Sequence, residues 1–139
     1  MRQLLSSAAL MAVAFCPLLQ PRAAQAAPAT EQEIRIYASV AAAAACNAAG
    51  LGLEFPKAVR VGGDALAGAI QAFNDSAISG VSDEPLSDEN LLRGSTDKIV
   101  IGMAMSCPSL MPAELLSEVK QKLGSVGVDI DAVPGQVSE

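Results

Sequence analysis

The chain has 139 residues, with nine Lys/Arg against fifteen Asp/Glu, three cysteines and no histidine or tryptophan. A histidine-free chain excludes Ser-His-Asp and Cys-His nucleophile arrangements and most zinc sites. The acidic balance disfavours a nucleic-acid or anionic-membrane partner, and one tyrosine with three phenylalanines is too few aromatics for stacking platforms.

Residues 1–26 read as an export leader. Arg2 gives a minimal positive start, Leu4 to Leu19 is uncharged and mostly apolar, and Ala24-Gln25-Ala26 has the small-x-small pattern of a cleavage site. An uncleaved anchor is the competing reading, but the run is short for a spanning helix and is broken by Pro17. Phe15 before Cys16 does not fit a lipidation site. Cleavage leaves seven Lys/Arg and fifteen Asp/Glu, a net charge of −8, and leaves Cys46 and Cys107 as the one cysteine pair. An exported chain meets an oxidising compartment, so a Cys46–Cys107 disulfide is expected over two buried free thiols.

In chain order, Ala27-Pro28-Ala29 is a short tether, and Thr30 to Glu33 fits a capping box that opens a first helix. That helix should run to about Ala49 and close at Gly50 or Gly52. Its expected inner face is Ile34, Tyr37, Ala41, Ala44 and Ala48, beside Cys46. Eight of the twelve residues from Ala38 to Ala49 are alanine, which favours helix and lets a neighbouring backbone approach. A strand over Ile34, Ile36, Ala38 and Val40 is the alternative, and the alanine run opposes it. Ile36 to Leu53 is uncharged, but alanine, Ser39, Asn47 and two glycines make it a core helix before a membrane span.

Pro56 suits the first turn of a second helix. Val59, Gly63, Leu66, Ile70, Phe73 and Ala77 form its stripe, and Gly62, Gly63 and Gly68 read either as close-approach points or as a hinge. Gly80 to Glu84 is a polar loop. Ser87 then caps a short third helix, with Leu86 placed to staple onto Leu91 and Gly94 ending it. Ser95 or Thr96 caps a fourth, central helix over Asp97 to Cys107, stopped by Pro108. The run Ile99-Val100-Ile101 with Met103 and Met105 also permits a strand. Pro112 opens a last helix with Leu115, Leu116, Val119 and Leu123 inward and Gly124 at its end. The expected organisation is a signal peptide at 1–26, a helical domain at 27–124 and a flexible tail at 125–139. The fold class is all-α, a compact array of four to five helices with one disulfide.

Candidate chemistry is sparse. Asp83, Glu84, Asp88 and Glu89 could hold Ca²⁺ or Mg²⁺, although their spacing is not that of an EF-hand and acidic helix starts are an ordinary pattern. Met103 and Met105 could line an apolar groove or simply fill the core. Gly62, Gly63 and Gly68 match no phosphate-binding fingerprint, so no cofactor is expected.

Cys46 late in the first helix, Gly52-Leu53-Glu54-Phe55 with Ala58, Leu92-Arg93-Gly94, Cys107-Pro108 and Pro112-Ala113 resemble small exported two-cysteine proteins of cyanobacteria, across residues 31–123. Some of those carry the name cyclic-AMP phosphodiesterase, and the resemblance implies that activity as an alternative. Known phosphodiesterase classes use histidine-rich metal sites, so here the acidic loop and a divalent metal would have to serve. The architecture is also similar to that of acid-stress chaperones of the periplasm, which implies a holdase role as a further alternative. The expectation from the residues themselves is a periplasmic or extracellular binding or structural protein, without evident catalytic groups, without a nucleic-acid partner and without a stable membrane span after cleavage.

Overall fold

A computed structural model describes residues 26–82 and 84–128; the expected signal peptide at 1–26, but for its last residue, and the end of the expected tail lie outside the described residues. Helix α1 spans Glu31–Gly50, α2 Phe55–Asn74, α3 Asp88–Ser106 and α4 Ala113–Ser125, with a 3₁₀ turn at Pro108–Leu110. No helix among the described residues is long and apolar enough to cross a membrane.

The starts of the helices are where their caps place them. The Thr30 hydroxyl accepts from the Glu33 amide at 3.2 Å while the Glu33 carboxylate accepts from the Thr30 amide at 2.8 Å, a complete capping box. The Thr30 amide, and after it the Thr30 hydroxyl donating to the same carboxylate at 2.7 Å, hold the Glu33 carboxyl below its ordinary range. Pro56 stands in the first turn of α2, and the Ser87 hydroxyl accepts from the Asn90 amide at the start of α3. Gly52, at φ 91°, takes the left-handed turn that frees the chain from α1.

Helices α1 and α2 run antiparallel, as do α2 and α3, so α1 and α3 lie side by side in the same direction. The Ala41 carbonyl and Ala45 adjoin Gly62, and Gly62 and Gly63 adjoin Ile99 and Thr96. A β-carbon at Gly62 would sit 2.8 Å from Ile99 Cγ2 and 2.9 Å from the Ala41 carbonyl oxygen. One at Gly102 would sit 2.7 Å from the Ala42 β-carbon. Gly62, Gly63 and Gly102 are therefore close-approach points, whereas Gly68 faces open space. Small residues let three backbones meet, and the four fully buried large side chains, Leu66, Ile70, Ile99 and Met103, fill the interior. Each contributes roughly 1.5–3 kcal/mol by leaving water. Cys46 and Cys107 are bonded, with Cα atoms 6.1 Å apart, and pin the C-terminal ends of α1 and α3.

Four expectations need correction. The third and fourth helices are one: α3 runs unbroken through Gly94, because the Thr96 hydroxyl donates back to the Leu92 carbonyl at 2.8 Å instead of capping a new start. Buried Leu91 and Ile99 on either side of Gly94 offset its helix-propensity cost of about 1 kcal/mol. The inner face of α1 keeps Ile34, Tyr37 and Ala41 but then turns onto Ala42 and Ala45 in place of Ala44 and Ala48. The α2 stripe ends before Phe73, which is 65% exposed and meets the Tyr37 ring from outside the core, in a tilted pair with centroids 6.1 Å apart. Finally, the tether is not free: Ala29 is fully buried, donates to the Ala77 carbonyl at 2.9 Å and accepts from Ser79 at 3.0 Å.

The alternative strand over Ile99 to Met105 is absent, since these residues are α-helical, with Ile99 and Met103 buried. In α4 only Val119 is buried, and Leu115, Leu116 and Leu123 are half-buried against the same core.

Candidate functional site

The chain between α2 and α3 shapes the end of the bundle opposite the disulfide. Asp75 and Ser76 leave α2 with φ of 49° and 62°, a reversal that Asp tolerates better than most residues. It is held by Asn74, whose side-chain amide donates to the Ala27 carbonyl at 3.0 Å, and by the Leu86 amide, which donates to Ser76 at 2.9 Å. Ile78, Ser79, Val81 and Leu86 of the connecting loop are thereby drawn over the start of α1 and the first half of α3.

Beneath it lies a cleft of about 410 Å³. Its buried lining is Leu66, Ile70, Leu91 and Ser95, and its half-buried lining includes Ile34, Ile78 and Leu86. Glu31, Val81, Asn90 and Lys98 stand at its exposed side. Gly94 also lines it, and nothing lies within 4 Å of where a Gly94 β-carbon would be. The space exists where α3 has no side chain, at Gly94, between the lining residues Leu91, Ser95 and Lys98, and where the loop, not a fourth helix, closes that side.

The polar groups of this cleft are few. Ser95 is 3% exposed and its hydroxyl has no hydrogen-bond partner among the described residues. The Asn90 side-chain oxygen accepts from Arg93 at 2.8 Å. Glu31 sits 3.7 Å from Arg35. An apolar cavity of this size with a small number of polar groups at one side matches small-molecule sites, which span roughly 300–1,000 Å³.

The acidic set is dispersed. Asp83 lies outside the described residues, Glu84 and Glu89 are exposed, and the Asp88 carboxylate accepts from Gln71 at 2.7 Å. Among the described residues no three His, Cys, Asp or Glu side chains gather as metal ligands would. Met103 is fully buried and Met105 is half-buried against the core, both away from the cleft lining. Cys46 and Cys107 serve as a structural tie. The cleft itself was not legible as a site, because Val81 falls in a segment that reads as polar loop, Ile78 stands just before it, and Leu86 reads as a staple onto Leu91. Their apolar side chains, in a stretch otherwise made of Ser, Gly, Asp, Glu and Pro, are the signal in the sequence.

No curated protein and no solved structure matches the chain. Residues 32–129, well over half of the chain and all four helices but the first residue of α1, match the family described as Domain of unknown function (DUF8650), and the protein belongs to that family.

Proposed function

We propose that the protein is a small exported binding protein that holds an apolar small molecule in the cleft between α1, α2, α3 and the 78–86 loop. The observation that carries this is the 410 Å³ cleft lined by seven aliphatic or small buried and half-buried residues, from Ile34 to Ser95. A stable core normally closes such space, since lining atoms that face a void lose their dispersion contacts. Export rests on the leader pattern of residues 1–26, and the disulfide agrees with an oxidising compartment. The resemblance to small exported two-cysteine proteins points the same way. The described carboxylates supply no gathered metal site, so nothing favours a phosphodiesterase over a binder.

Titration calorimetry of the oxidised protein with decanol tests the reading. Saturable binding at one site is expected, and Val81→Trp, at an exposed cleft-lining position, should weaken it by about tenfold or more while leaving the helical circular dichroism unchanged. Unsaturable heats, or equal binding by the variant, would remove the cleft as the site.

A further inference from the structure

We infer that the ligand of the cleft is an anionic amphiphile, a monomeric long-chain carboxylate whose tail enters the cavity and whose head is held by Lys98; this rests on the binding role proposed above. The tail follows from the lining, in which Leu66, Ile70 and Leu91 are buried and Ile34, Ile78 and Leu86 half-buried. The head follows from the charges at the mouth.

Lys98 is the cation that lines the cleft, and among the described residues it is uncommitted. Arg35, Lys57, Arg60 and Lys122 each hold a carboxylate, and Arg93 is bonded to Asn90. Lys98 holds none among the described residues. The helix offers it none either. The positions three and four residues away on α3 are Gly94, Ser95, Ile101 and Gly102, with no carboxylate to form the ordinary i,i+4 pair. In a chain with an excess of acids, a lysine left without a partner beside an apolar cavity is placed to take its counter-charge from a ligand. Its long stem reaches over apolar surface while the ammonium stays at the mouth.

The other charge at the mouth, Glu31, is turned toward Arg35 at 3.7 Å and is 85% exposed, so water screens its repulsion of an incoming carboxylate. A membrane surface is a poorer source of this head group than a free molecule. The net negative charge of the whole chain repels an anionic bilayer, whereas a single carboxylate meets Lys98 locally.

Decanoate and decanol distinguish this proposal from the reading it rests on, because both carry the same tail. At neutral pH and low salt, decanoate should bind the whole oxidised chain about tenfold more tightly than decanol, as a charge-assisted hydrogen bond at the mouth would give. Lys98→Met should bring the two affinities together by weakening decanoate alone, and raised salt should narrow the gap in the unaltered protein. Equal affinities for decanoate and decanol, or a preference that survives Lys98→Met, overturn the anionic head while leaving the cavity as a binding site. Failure of both ligands to bind overturns the head and the cavity together. Binding that weakens as protein concentration rises gives the cleft to a second copy of the chain and overturns the proposal as well.

Discussion

At the end of the bundle that carries Cys46 and Cys107, Gly62 and Gly102 leave no room for even a β-carbon, whereas at the other end Gly94 faces open space above a cavity of about 410 Å³. The same three helices make both ends, so the difference lies in side chains and connections. At the tied end, alanines on α1 meet glycines on α2 and α3, backbones touch, and a disulfide fixes the contact. Toward the open end, large aliphatic residues hold the helices around a space, and a loop with three left-handed residues, Asp75, Ser76 and Gly80, closes one side of it. A bundle stiff at one end can keep a cavity at the other without collapsing onto it, and that is the physical content of the proposed binding role.

The largest way to break this contrast is to cut the tie. In the chain-entropy picture, a bridge with a sequence separation of 61 stabilises by about 4 kcal/mol. The Cys46→Ala/Cys107→Ala double variant should lose about that amount in urea unfolding, and a loss below about 1 kcal/mol would mean that packing alone fixes the tied end.

Next in size is overpacking. Gly62→Val places atoms against Ile99 and the Ala41 carbonyl, and should cost about 2–3 kcal/mol by the same measurement. The backbone cannot yield as a side chain would, so a neutral result would show the three helices to be less closely apposed.

A sharper comparison uses one substitution at two places on one helix. Gly94→Ala has nothing within 4 Å to strike and should stabilise by up to about 1 kcal/mol through helix propensity. Gly102→Ala meets the Ala42 β-carbon at 2.7 Å and should destabilise by about 1 kcal/mol net, since strain exceeds the same propensity gain. Opposite signs in thermal unfolding are the expected outcome. Equal signs would erase the distinction between the ends.

The smallest effect is a pH dependence at the open end. The Thr30 amide and hydroxyl hold the Glu33 carboxyl below its ordinary range. A depressed folded value means that the stabilisation is present above the unfolded value and is lost as pH falls through the folded one. Following the Thr30 and Glu33 amides by NMR on acidification should give a midpoint below the ordinary glutamate range, moved upward by Thr30→Ala. A midpoint unmoved in that variant would uncouple the cap from the carboxyl.

Much of the fold could be read from the residues, and for local reasons. The Thr30-Glu33 box, Pro56, Ser87 and Pro112 act within one helical turn, so the helix starts follow from a few adjacent side chains. The Cys46–Cys107 bond followed from there being two cysteines beyond the segment that reads as a leader. Gly94 misled because glycine ends a helix only if the chain turns there, and tertiary packing of Leu91 and Ile99 carries α3 straight through. The rotation of the α1 face was hidden by its composition, since a run of alanines carries almost no periodic contrast. The cleft was illegible for a different reason: empty space between Ile34, Ile70, Ile78 and Leu86 is a property of how distant segments meet, and the sequence names only its walls.

Methyl NMR of the Ile and Leu side chains during a decanol titration tests the central claim most directly. The account predicts that Ile34, Ile70, Ile78, Leu86 and Leu91 shift together and saturate, while Ile99 and Ile101 near the tied end stay in place. Shifts spread over both ends, or centred on Ile99, or absent at saturating decanol would contradict a cavity built for an apolar guest.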